Sequence, residues 1–207
     1  MIPLYEVAWE IHRFFTRHKI PYAIIGGFAV QQWGVPRFTA DVDAEMLAPL
    51  TEGSENFVRL ILSEFSSRDN VDPFTRAKRD RVVLISASNG RGIDISFGVP
   101  EYQDELLARA VDYKLARGKV VRVCSAEDLI IHKCVAGRDK DLRDVEGVIA
   151  RQGELLDVAY IRKWLKLFDE QLPEPHAVAD FERAWRVGQR TALKRDRKPV
   201  RRLKHKR

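Results

Sequence analysis

Cysteine and methionine are scarce, two of each in 207 residues. Two thiols, Cys124 and Cys134, cannot build a disulfide framework, which excludes the small stapled secreted folds and suits a reducing compartment. No apolar run approaches the roughly 18 residues that a membrane span needs. The opening segment MIPLYEVAWEIHRFF lacks the basic-then-apolar order of a secretory signal. A cytoplasmic protein with no membrane partner is therefore expected. The chain also lacks G-x-G-x-x-G and G-x-x-x-x-G-K-[ST], so neither a dinucleotide-binding Rossmann unit nor a P-loop is expected. Internal repeats are missing as well.

Hydrophobic residues make up 45% and charged residues 32%, a globular composition with enough apolar content for a core. The length allows one domain with an appendage or two small domains. Charge is unevenly spread. Residues 183–207 hold 12 Lys or Arg against the single acid Asp196, so the remainder of the chain is mildly acidic, at −5. Such a basic tail can neutralise nucleic-acid phosphates, or it can be a solvated end without a partner.

Helical spacing runs over residues 4–18, through Leu4, Val7, Ala8, Ile11, Phe14 and Phe15. PYAIIGG is a short apolar strand that stops at Gly26 and Gly27, and FAVQQWG is a short helix. Residues 54–66 form an amphipathic helix. RVVLISAS and GIDISFG are strands joined at Asn89-Gly90, a strong hairpin signal. YKLARGKVVRVC predicts a second hairpin turning near Gly118. From Ser125 the pattern becomes helical, over 126–137, 139–152, 156–171 and 177–190. A mixed α/β core over 1–124, a helical part over 125–190 that completes the site, and a basic, disordered tail over 191–207 are expected.

The stretch RFTADVDAEM carries the first chemical signal. Val42, Ala44 and Met46 alternate with Asp41, Asp43 and Glu45, so the acids share one face of a strand. Aspartate is depleted in strands. Two neighbouring carboxylates repel, and burial raises the cost. A divalent cation removes it, and Mg²⁺ prefers carboxylate and phosphate oxygens; a solvated edge strand is the alternative. GIDISFG repeats the device, with Asp94 between Ile93 and Ile95. If the two strands are neighbours, three carboxylates converge beside Gly26-Gly27, where free N–H groups at a helix start favour an anion. His132, Cys134 and Cys124 match no zinc spacing.

The order Gly26-Gly27, Arg37-x-Thr39-x-Asp41-x-Asp43 and Ile93-Asp94-Ile95 resembles nucleotidyltransferases of the DNA polymerase β superfamily. The later segment SAEDLIIHKCVAGRDKDLRDVEGV is similar to the helical part of the small prokaryotic branch that includes AbiEii-like toxins of toxin–antitoxin systems. The resemblance covers roughly residues 20–150. It implies a nucleotidyltransferase fold, a mixed β-sheet with flanking helices, followed by the helical part. It also implies that Gly26, Gly27, Arg37, Thr39, Lys133, Arg138, Asp141 and Asp144 bind nucleotide. Asp41, Asp43 and Asp94 would hold Mg²⁺, or Mn²⁺, and Asp94 would act as, or assist, the base. Lys133 would be partly buried, its charge met by the triphosphate or by the aspartate cluster. The chain departs from many members in having Gly-Gly where they have Gly-Ser. The implied reaction transfers a nucleoside monophosphate from an NTP to a hydroxyl, with an RNA (tRNA 3′) end as acceptor and an antitoxin as partner. Protein or small-molecule nucleotidylation and a non-catalytic binding protein with the same fold are the alternatives.

Overall fold

The computed structural model describes residues 3–47, 54–98 and 100–196. Residues 191–196 of the expected disordered tail are helical, as the end of the helix Ala177–Asp196, and the rest of that tail, from 197 onward, lies outside the described residues. Seven strands, β1 (Tyr22–Ile25), β2 (Val42–Met46), β3 (Ser66–Ser67), β4 (Val82–Ser86), β5 (Gly92–Phe97), β6 (Val111–Ala116) and β7 (Lys119–Val123), form one sheet. Their order is β3-β4-β5-β2-β1-β7-β6. The sheet is mixed: β1 runs parallel to β7 and β2 parallel to β5, while the other pairings are antiparallel. Both expected hairpins form, and the turn glycines Gly90 and Gly118 sit at φ 79° and 71°, conformations that glycine adopts without a Cβ penalty.

The central strands are buried on both faces, which explains why YAII is an unbroken apolar run and not an alternating one. In β2 the alternation does hold: Val42, Ala44 and Met46 are fully buried on the core side. Helices α1 (Pro3–Arg17) and α2 (Gly26–Trp33) flank β1 in sequence, and α3 (Ser54–Glu64) follows β2. Two helices escaped the sequence pattern. The first, α4 (Pro73–Asp80), is a charged segment held by a local cap: Asp72 Oδ2 accepts from Thr75 N at 2.8 Å, and Pro73 opens the first turn. The other, α5 (Tyr102–Arg109), is too short to display a clear period.

The helical part comprises α6 (Ala126–Ala136), α7 (Asp139–Gln152), α8 (Val158–Asp169) and α9 (Ala177–Asp196). Among the described residues no helix is long and apolar enough to cross a membrane. Helix α6 is the hub. It contacts α2, α7, α8 and α9, and its Leu129, Ile130, Ile131 and Cys134 are fully buried, as expected for a helix that is apolar nearly all round. It starts at Ser125, whose Oγ accepts from Asp128 N, and stops at Gly137 in the left-handed conformation.

One buried carboxylate joins three elements around that start. Asp128 accepts hydrogen bonds from Ser125 Oγ at 2.6 Å, Tyr160 Oη at 2.8 Å and Tyr102 Oη at 3.2 Å. It is fully buried, so removing it strands two tyrosine hydroxyls. Asp128→Ala is expected to cost about 3 kcal/mol of unfolding free energy. Denaturant titration reads this as a lower midpoint, and a loss below about 1 kcal/mol would show that the junction is held by apolar packing alone.

Candidate active site

The register decides where the acids meet. Asp43 on β2 lies directly beside Asp94 on the parallel neighbour β5, so the two strands are adjacent as the convergence required. Asp41 stands just before β2 and turns back to accept from Gly92 N at 3.2 Å. On the other side β1 pairs with β2, placing Ile25 opposite Asp43. The Gly26-Gly27 turn therefore opens beside the carboxylates, and Gly27 N donates to Asp43 Oδ2 at 3.3 Å.

Both glycines are required by space. Gly26 has φ +60°, and a Cβ on it would lie 2.1 Å from Asp43 Oδ2. A Cβ on Gly27 would lie 2.6 Å from Thr39 Oγ1. The Thr39 side chain thus fills the place that a side chain on Gly27 would take.

These residues line a cavity of about 340 Å³ together with Arg37, Lys133, Arg138 and Asp141. Ten of the eleven expected site residues are among its walls; Asp144 is the exception, and stands behind it. The cavity also includes Ser96, His132 and Lys140, which no motif singled out.

Burial pushes the Asp43 carboxyl above the ordinary aspartate range, and repulsion from Asp94 adds to it. Asp94 is pushed up for the same first reason, with Arg68 working the other way. Arg68, just beyond β3, forms an ion pair with Asp94 Oδ1. No sequence signal marked it, because β3 is two residues long and its pairing with β4 is a tertiary matter.

The donors are hard carboxylate oxygens, as a divalent cation of the Mg²⁺ kind demands. Asp43 Oδ1 and Asp94 Oδ2 have no hydrogen-bond partner among the described residues. The three carboxylates are not a finished cage, since no group of three or more His, Cys, Asp or Glu among the described residues is set to hold an ion by itself. Asp94 is turned to Arg68 and Asp41 to Gly92. The residues fit an ion that arrives with phosphate oxygens to complete its shell. Cys124 and Cys134 are buried and form no disulfide.

Lys133 corrects one expectation. It is buried at 5% exposure, but its ion-pair partners are the carboxylates of α7 and not Asp41, Asp43 or Asp94. Its Nζ lies 2.7 Å from Asp141 Oδ1 and 2.9 Å from Asp144 Oδ2. Asp144 in turn takes both Arg37 Nε and Nη2 at 2.7 Å, and Asp141 pairs with Arg138. Burial pushes Asp141 and Asp144 up, but the hydrogen bonds from Arg138, Arg37 and Lys133 outweigh it and hold both below the usual range. The network ties the loop before β2 to α6 and α7, and it carries three cations to two carboxylates beside the cavity.

The sequence profile of a family described as nucleotidyl transferases of unknown function matches residues 6–175. Comparison with curated proteins finds no match. Among solved structures, the antibiotic-resistance factor ANT(2'')-Ia superposes with a TM-score of 0.51 at 14% identity, over 81% of this chain and 96% of that one. A nucleotidyltransferase-like antigenic protein from Paracoccidioides brasiliensis has a TM-score of 0.50 at 19% identity, over 88% and 92%. These likenesses show the fold.

Two outcomes are expected. Asp43→Asn should raise the melting temperature of the metal-free protein at neutral pH by a few degrees, about 1 kcal/mol. A carboxyl raised in the folded state loses stability as pH rises through the ordinary aspartate range to its folded value, so the gain should vanish below that range. Calorimetry at pH 7 and at low pH reads both, and an equal gain at the two would rule out repulsion as the cause. Lys133→Met should leave Asp141 and Asp144 facing each other and cost about 3 kcal/mol. Chemical denaturation checks this, and a variant as stable as the wild type would mean that Arg37 and Arg138 suffice.

Proposed function

This chain belongs to the nucleotidyl transferase family matched over residues 6–175, and we propose that it moves a nucleoside monophosphate from a nucleoside triphosphate to a hydroxyl group. Asp43 beside Asp94 at the mouth of the Gly26-Gly27 turn is the observation that carries this reading. The α2 N-terminus offers backbone N–H groups to an anion, and Lys140 and Arg138 add positive charge at the same cavity. The acceptor oxygen attacks the α-phosphorus as the bond to the bridging oxygen breaks. Pyrophosphate leaves with that electron pair, and the hydroxyl proton passes to Asp94. A carboxyl pushed up by burial suits a proton acceptor, and Asp94 Oδ2 is free to receive it. Asp41, Asp43 and Asp94 would hold Mg²⁺, which supplies neutralisation of the phosphoryl oxygens when bound.

An RNA end is the reading of the acceptor that the AbiEii-like resemblance implied, together with a toxin role and an antitoxin partner. Its support is a basic flank. Val35, Arg37, Lys140, Arg143 and Asp144 line a second hollow of about 300 Å³, and Phe38 beside it is 80% exposed, a pairing of cations with an aromatic face that suits stacked bases.

Incubation of the full chain with each α-labelled NTP, Mg²⁺ and a cell lysate tests the reaction. Label is expected in one acceptor fraction, RNA, protein or small molecule, with release of pyrophosphate. Asp94→Asn should slow it by about 10² to 10⁴-fold. Wild-type rates in that variant would move the base elsewhere, and no labelled product with any NTP would sink the proposal.

A further inference from the structure

Beside the carboxylate cavity lies another, of about 310 Å³, that shares two of its walls, Ser96 and His132. Strand register says where it sits. Glu45 follows Asp43 by two residues on β2, Ser96 follows Asp94 by two on β5, and Glu45 pairs with Ser96. The second cavity is therefore one pleat along the same face, about 7 Å from the aspartate pair. The Gly26-Gly27 turn touches Asp43 from β1, whose Gly end meets the opposite end of β2. The phosphate cradle and the second cavity thus flank the aspartates from opposite ends of the strands.

In-line displacement needs that arrangement, with leaving group and nucleophile on opposite sides of the phosphorus. If pyrophosphate leaves over Gly26-Gly27, the hydroxyl enters from the side of Glu45 and Ser96.

The walls indicate what carries the hydroxyl. Phe97, Tyr102, Ile131, Val135 and Phe168 make most of the lining apolar. Within it stands Glu45, a carboxylate only 3% exposed. Among the described residues its Oε1 has no hydrogen-bond partner. Gln103, whose amide crowds Gly98 beside Glu45 Oε1, donates one N–H to Met46 O and makes no hydrogen bond to Glu45. His132 Nε2 lies 3.2 Å from Glu45 Oε2 but makes no hydrogen bond in that orientation. Arg81 is spent on the carbonyls of Phe97 and Gly98, at 2.8 Å each. A buried carboxylate oxygen without a donor carries a cost that a ligand N–H removes.

We infer that this cavity is the acceptor subsite, and that it takes a small molecule whose basic nitrogen sits on an apolar body near the reacting hydroxyl. The inference rests on the nucleotidyl-transfer reading. A polynucleotide end is disfavoured here, because its charged phosphates would meet a mostly apolar lining and the buried Glu45 carboxylate.

The test uses the full chain and defined probes. 2-Amino-1-phenylethanol carries the ring, hydroxyl and amine; 1-phenylpropan-1-ol is the same shape without the nitrogen. Binding of each, and of Mg²⁺–NTP, is measured by calorimetry or NMR titration. The amine is expected to bind the wild type about tenfold or more tighter than the alcohol, the worth of one charge-assisted hydrogen bond. Glu45→Gln should erase that preference, and Val135→Trp should exclude both probes by filling the cavity. Nucleotide affinity should stay within about twofold in both variants, since neither residue lines the nucleotide cavity. In the labelled-lysate assay, Val135→Trp should lose the small-molecule product.

Equal binding of amine and alcohol overturns the assignment, as does loss of nucleotide affinity in Val135→Trp, which would make the cavity a base pocket. Undiminished labelling of RNA by Val135→Trp would overturn it in favour of the basic flank. A wild type that binds no nucleotide would sink the parent reading alone, while the amine arm would still decide what the cavity holds.

Discussion

Asp43 and Asp94 stand side by side on two parallel strands, and the architecture around them answers the resulting repulsion. Gly27 gives Asp43 a backbone N–H. Arg68 reaches in from beyond the edge strand to Asp94. Gly92 donates to Asp41. Even so, burial and mutual repulsion keep the Asp43 carboxyl above its ordinary range. Like charges held in a partly dry site raise the free energy of the empty protein, and a cation with phosphate oxygens lowers it. The same feature that costs stability prepares the site for its ligand.

The Lys133 network works on a different scale. Lys133, Asp141, Asp144, Arg37 and Arg138 join α6, α7 and the loop before β2. Removing one partner from such a buried set leaves an uncompensated charge, which is costlier than the net value of the set. Its role is thus to hold the loop bearing Thr39 and Asp41 at a set distance from the helical part. Thr39 in turn occupies the space above Gly27. A change on α7 would be felt at the phosphate cradle through this chain of contacts.

Much of the fold was legible because periodicity and turn chemistry are local. Asn89-Gly90 marked its hairpin, Ser125 and Gly137 marked the ends of α6, and the Asp41, Asp43 and Asp94 positions stood out as acids interrupting apolar strands. α4 was invisible because its stability comes from the Asp72 cap and an Arg-rich surface face, not from an apolar stripe. Arg68 and the cavity around Glu45 were invisible for a stronger reason. Glu45 carries the same alternation as Asp43, yet only the helix laid over it turns one acid toward a phosphate site and the other toward an apolar hollow.

By itself the sequence determined most of the elements, the alternating acids, the glycine turn and the resemblance that joined them, since each depends on residues within one or two turns of chain. The tertiary structure decided which strands are neighbours, that Asp43 meets Asp94 in register, that Lys133 is neutralised by α7 and not by the aspartate cluster, and that a second cavity opens one pleat away. Those are contacts between residues far apart in sequence, such as Arg37 and Asp144. Pairing of that kind is set by the packing of whole elements, which no local pattern encodes.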